Sequence, residues 1–249
     1  MTTTKSEQSI IEILHRDDLP LGGFAGLREH RLVMDSKAWG HHVNPTAWPG
    51  IGNFVYLADA RFIPNGETGM HPHREVDVIS VMVEGRIAHG GTLEHGQELQ
   101  PFDVQVQRAG GEGFSHNETN PDDTENRAIQ LWVLPEESGQ PAGYRLYKPK
   151  WGEVTCIYGG SFEQDETFPS QTQMDVALLH SGQHASFEGP FMAYLTTGKG
   201  TANGTPVADG DLMRGDSLSF EAFEDVQLIV VQLGSYGLRK SLLLRPLAS

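Results

Sequence analysis

Apolar and polar residues alternate with a period of two along much of this chain, and the 3.6-residue stripe of an amphipathic helix is scarce. The segments 53–63 (NFVYLADARFI), 76–85 (VDVISVMVEG), 103–110 (DVQVQRAG) and 127–135 (RAIQLWVLP) are short and end at Gly, Pro, Asn or Asp, which predicts strands. In the last of them Ile129, Leu131 and Val133 face one way, and Ala128, Gln130 and Trp132 the other. The same style returns at 191–198 (FMAYLTTG), 216–220 (DSLSF) and 226–233 (VQLIVVQL), so the chain is expected to be all-β.

The halves echo each other. Sliding the chain by 113 residues places Gly85 on Gly198, Asp103 on Asp216, His71 on His184 and Glu75 on Glu188. Two similar β domains in tandem are predicted, with a linker near PKWGE (149–153) and a division into residues 1–148 and 149–249. Under the same shift His73 meets Ser186, His116 meets Ile229 and Glu118 meets Val231. Any site built from these groups in the first copy is therefore expected to be lost from the second, with His184 as a relic.

The polar residues worth following sit at strand spacing. His71 and His73 stand two apart, so both project from one face of a strand, and Pro72 stiffens its entry. A second such pair, His116 and Glu118, lies in GEGFSHNET. Three imidazoles and one carboxylate from two strands form a donor set that leaves open positions on an octahedral ion. Fe(II) suits it best, and Mn, Cu, Ni or Zn also fit.

Asp77 shares the parity of the first pair. It is read either as a carboxylate that orients a ligand imidazole or as a solvated one. Glu75 competes as an oxygen ligand, but steps of ~6.6 Å per two residues carry it away from His71, which favours Glu118. His15, His30, His41, His42, His89, His95 and His180 are expected at the surface or in ordinary polar roles, and Cys156 in a small buried one.

Composition narrows the classes. Twenty-nine Gly and 14 Pro suit many tight turns, and a hydrophobic fraction of 38% suffices for a core in 249 residues. The formal charge of -15, from 18 basic and 33 acidic residues, repels phosphate backbones and anionic lipids, so neither nucleic acid nor a membrane is an expected partner. A single cysteine excludes an intrachain disulfide. With no apolar signal core and no run approaching ~20 apolar residues, a cytoplasmic protein is expected.

Three stretches, GETGMHPHREVDVISVMVEGRIAH (66–89), QPFDVQVQRAGGEGFSHNE (100–118) and AIQLWVLP (128–135), together resemble the pirin family of bicupins. The resemblance spans roughly residues 22–135; the second half is similar in pattern only. It implies two tandem cupin-type barrels (double-stranded β-helices), with metal in the N-terminal one on His71, His73, His116 and Glu118 and a degenerate C-terminal one without metal.

The resemblance also implies one of two functions. Some members open flavonols such as quercetin with O2, a metal-dependent 2,3-dioxygenation; others are iron-dependent binding proteins that modulate transcription factors. The leading expectation is the oxygenase, with Glu118 both ligating and accepting the proton of a substrate hydroxyl, and with Met82 and Phe114 against a flat, flavonol-like ring. The alternative is a non-catalytic iron protein that binds a protein partner. A third reading is another cupin enzyme, such as an isomerase, acting on a small polar substrate. Asp77 stands where the family usually has Glu, Glu75 where it more often has Gly or Asp, and AGGEG (109–113) replaces AGTG or AGRG, adding Glu112 near the expected cavity mouth.

Overall fold

The alternating segments pair as strands, and the order of pairing is written twice. A computed structural model describes residues 10–161 and 163–234. The first half contains β1 (Glu12–His15), β2 (Leu21–Phe24), β3 (Leu27–Met34), the one-turn helix α1 (Ser36–Trp39), β4 (Phe54–Phe62), β5 (His71–His73) and β6 (Asp77–Glu84). It continues with β7 (Ile87–Gly91), β8 (Gln97–Leu99), β9 (Val104–Arg108), β10 (Phe114–Thr119), β11 (Arg127–Val133) and β12 (Gly143–Tyr147). The second half contains β13 (Glu153–Gly160), β14 (Ser170–Leu179), β15 (His184–Thr197), β16 (Lys199–Ala202), β17 (Thr205–Ala208), β18 (Asp211–Ala222) and β19 (Val226–Leu233).

In the first barrel one sheet runs β12-β9-β6-β11-β4-β3-β2 and a smaller one runs β5-β10-β7-β8. The second barrel repeats both orders in a single sheet, β13-β14-β19-β15-β18-β16-β17. There β14-β19-β15-β18 copies β4-β11-β6-β9. The early part of β15, the late part of β18, then β16 and β17 copy β5-β10-β7-β8. The chain is thus all-β, with two tandem cupin-type barrels, and no helix among the described residues is long and apolar enough to cross a membrane.

This topology corrects the ungapped comparison of the halves. Gly85 and Gly198 do occupy equivalent turns, with φ of 67° and 80°, where a side chain would be strained. Beyond them the second copy is shorter. Ile229 and Val231 lie on β19, the counterpart of β11, while the counterpart of His116 and Glu118 lies in the late part of β18. His184 is no inward relic: it is 39% exposed, beside Glu221 at 3.9 Å. Ala185, Phe187, Leu218 and Phe220 fill the second barrel instead, so its interior is hydrocarbon.

The faces of β11 divide as alternation predicts. Ile129, Leu131 and Val133 join Ile157, Met174, Val176, Tyr194, Ile229 and Val231 in a core shared by both halves. Gln130 and Trp132 turn into the first barrel. Two further ties cross between the barrels. β1 pairs with β18, Ile13 opposite Met213, and Ile11 and Ile13 pack on the second barrel's core, so the N-terminal strand belongs to the C-terminal sheet. Arg127, fully buried, donates to both Asp59 oxygens, to Asp209 and to the Thr196 carbonyl.

Candidate metal centre

β5 and β10 are antiparallel neighbours in the small sheet, with His71 opposite His116 and His73 opposite Phe114. His71 and His73 share a face because they are two apart, and that face meets the inward residues Phe114, His116 and Glu118 of β10. The imidazoles converge through the same atom: Nε2 of His116 lies 3.0 Å from Nε2 of His71 and 3.2 Å from Nε2 of His73. Ligand atoms ~2.1 Å from a common ion and at right angles around it are separated by about 3.0 Å, so this spacing fits one edge-sharing set of metal donors.

Protonation fits as well. Nδ1 of His71 lies 2.9 Å from the Gly69 carbonyl, which can only accept, so Nδ1 carries the proton and Nε2 keeps its lone pair. Burial, then the neighbouring His71, pulls His73 down to about 4. Burial, then His73, His71 and His89, pulls His116 down to about 2. Both rings are neutral near pH 7, the form that ligates. Nδ1 of His116 is buried without a hydrogen-bond partner, an atom that a bound ion's polarisation or a water would have to account for.

Glu118 is fully enclosed. Its Oε1 accepts from Ser80 Oγ at 2.9 Å and Gln105 Nε2 at 3.3 Å, and its Oε2 accepts from Gln130 Nε2 at 2.7 Å. Desolvation raises its pKa, and the hydrogen bond from Ser80, the neighbouring His71 and the amides of Gln130 and Gln105 offset that only in part. Two overlapping sets of side chains can hold an ion: His71, His73 and His116, and His89, His116 and Glu118. The four residues expected from sequence are thus gathered around one cavity, with His116 common to both sets.

His89 is the member that sequence reasoning misassigned. It is buried, stands opposite Glu118 in the β7–β10 pair, and its ring is 5.4 Å from that of His116. The signal was its parity with Ile87, which also points inward. The expected pocket residues shift as well. Met82 lies in a core with Phe62, Ile87 and Leu99 rather than in the cavity wall. Phe114 backs the imidazoles, 5.3 Å from His73 and 5.1 Å from His116 between ring centres.

The cavity has a volume of about 50 Å³. The imidazoles, Glu118 and Gln130 line it together with Tyr56, Trp132, Glu29 and Phe24. Trp132 lies edge-on to His73 at 5.7 Å and stacks on Trp39 at 5.6 Å. Glu29 also borders an outer groove of about 330 Å³ along Leu21, Gly22, Gly23 and Arg31.

Comparison with known proteins adds sequence and fold relatives. The model of the family described as Pirin matches residues 40–133, the stretch that holds β4 to β11 and all four expected ligands. Over this stretch the chain is similar to the pirin family. A Zymomonas mobilis relative, named "Putative quercetin 2,3-dioxygenase", is 28% identical over 197 residues, covering 71% of this chain and 80% of its own length. The quercetin 2,3-dioxygenase of Escherichia coli K12 is 32% identical over 72 residues, 28% of this chain and 31% of its own. In structure, the E. coli bacterial pirin YhhW in complex with nickel(II) matches with a TM-score of 0.77 at 16% identity, over 90% of this chain and 99% of that one.

The departures from the pirin pattern now have positions. Asp77 does not orient an imidazole: its Oδ2 accepts from Arg108 Nε at 3.1 Å and from the Tyr158 hydroxyl at 2.6 Å, so it clamps the second barrel to the first. The strand parity that links it to His73 is broken at Glu75, whose φ is 53°, and Asp77 instead shares the face of Ile79 and Val81, which looks into the core between the barrels. Glu75 has a φ of 53° and accepts from the Gly139 amide at 3.0 Å, away from the ligands. Glu112 is exposed.

One glycine lets β7 pack closely against the strand that carries His116. A Cβ on Gly91 would lie 2.9 Å from Cα and 3.0 Å from Cβ of His116, and closer still to the Ser115 carbonyl. Gly91→Ala is expected to push β7 off β10, costing about 1–3 kcal/mol, and to weaken metal binding at least tenfold. Thermal unfolding with and without added metal measures both.

Proposed function

We propose that this chain holds one transition-metal ion, Fe(II) in the cell, on His71, His73, His116 and Glu118, and oxygenates a flavonol-like aromatic substrate with O2. The observation that carries the reading is the convergence of three imidazole Nε2 atoms beside a buried carboxylate in an aromatic-walled cavity. The structure of YhhW in complex with nickel(II) supports a first-row metal on this fold, and the relatives named for quercetin 2,3-dioxygenation support the substrate class.

When bound, the ion supplies Lewis acidity toward a substrate hydroxyl. The side chains do the rest. Glu118, its pKa raised by burial, accepts the hydroxyl proton, a role that favours a carboxylate closer to neutrality than a solvated one. Ser80, Gln105 and Gln130 fix its orientation while it does so. Tyr56, Trp132 and Phe24 flank a flat ring and exclude water. A cavity of about 50 Å³ admits the hydroxylated edge of such a molecule, and the remainder lies toward Phe24, which is 48% exposed at the mouth.

The test is direct. Elemental analysis of the purified full-length protein should find one first-row metal per chain. Flavonol absorbance should fall under air with Fe(II), stay constant without O2, and fall more than about 100-fold more slowly in His73→Ala. Full metal occupancy with no turnover of several flavonols would instead favour a non-catalytic metal protein.

A further inference from the structure

The cavity contains a second carboxylate that the metal site does not need. Glu29, on β3, is 2% exposed and lines the same cavity as the imidazoles. Its Oε2 accepts from the Tyr56 hydroxyl at 3.0 Å and its Oε1 from Arg31 Nε at 2.7 Å. An ionised carboxylate has about four acceptor sites, so these two bonds leave capacity for a ligand hydroxyl. Arg31, the only cation bonded to Glu29 among the described residues, borders the outer groove and not the cavity. No Lys or Arg is among the residues lining the cavity.

Glu29 thus stands between the groove and the imidazoles, in the wall of both. A neutral hydroxyl gains an acceptor there. A carboxylate meets Glu29 in a cavity whose lining holds no cationic side chain, Arg31 lying on the groove side, and like charges in a poorly solvated site repel strongly.

The geometry points to Glu29 as a specificity-determining residue that admits uncharged, hydroxylated aromatic rings to the metal site and rejects those bearing a carboxylate. The inference rests on the proposed metal site binding a hydroxylated aromatic ring, for which an aromatic diol is the probe. It goes further in assigning the charge class of the ligand to a residue outside the ligand set. Tyr56 is the positioning residue, since its hydroxyl holds Oε2.

The test uses two probes of nearly equal size that differ in charge, 3,4-dihydroxybenzamide and 3,4-dihydroxybenzoate. Each is titrated into the Fe(III)-loaded full-length protein, and binding is read from the visible charge-transfer band of an iron-bound catechol. Wild type should bind the amide at least about tenfold more tightly, and Glu29→Gln should bring the two affinities to within about threefold. Glu29→Asp, which keeps the charge, should restore most of the discrimination. It also keeps the test decisive if the Gln variant folds poorly. Equal affinities in wild type, or discrimination unchanged in Glu29→Gln, would overturn the role of Glu29 alone. No band with either probe in iron-loaded wild type would overturn the hydroxylated-aromatic reading of the site, and this inference with it.

Discussion

His116→Ala should abolish metal-dependent stabilisation of this protein. His116 is the ring shared by both sets of candidate ligands, and the Nε2 atoms of His71 and His73 meet through it. Without it two imidazoles remain on β5, and Glu118 loses the neighbour that links it to them. An ion present at a thousand times its dissociation constant stabilises the folded state by about 4 kcal/mol. Wild type should therefore show a clear rise in unfolding midpoint on adding Fe(II), Ni(II) or Zn(II), and His116→Ala almost none. The metal-free proteins should differ much less. The substitution leaves a cavity, but it also removes a buried, desolvated ring whose Nδ1 has no partner. An equal metal-induced shift in wild type and variant would place the ion elsewhere.

Arg127→Ala should be the most destabilising single change away from the site. Asp59 is buried and receives Arg127 Nε at 2.9 Å, Arg127 Nη2 at 2.5 Å and the Tyr194 hydroxyl at 2.5 Å. Removing one partner of a buried ion pair leaves an uncompensated charge and costs about 3–5 kcal/mol. Replacing both, as Asp59→Leu with Arg127→Met, should recover most of that loss, because the desolvation penalty disappears with the charges.

The pH dependence carries the same signature. Burial alone would raise the Asp59 carboxyl. The hydrogen bonds and charge of Arg127, then the Tyr194 hydroxyl and Arg16, outweigh it and hold the group below the usual carboxylate range. The unfolded chain therefore takes up the proton first on acidification. The stability contributed by Asp59 is complete above the ordinary carboxyl pKa of about 3.9 and is lost as pH falls through the lower folded value. In Arg127→Ala this acid limb should vanish or move to higher pH. Urea unfolding of the three proteins between neutral pH and pH 3 measures both effects.

Alternation along the chain was enough to sort side chains onto faces. It put His71 with His73, His116 with Glu118, and Ile129, Leu131 and Val133 opposite Gln130 and Trp132, because a strand turns successive residues to opposite sides whatever it pairs with. The motif spacing carried the resemblance to pirins for the same reason: both ligand pairs sit within a few residues of chain.

Which faces meet is another matter. β10 lies between β5 and β7, and only that order brings His89 up to His116 and Glu118. Glu29 reaches the cavity from a strand far away in sequence, and Asp77 leaves it for Arg108 and Tyr158 of the barrel interface. The second barrel turned His184 outward and filled its interior with Phe187 and Phe220. Parity is a local property of the backbone, so the sequence by itself determined it. Partnership between strands is settled by long-range pairing and by where each side chain finds an acceptor, and those only the tertiary structure decided.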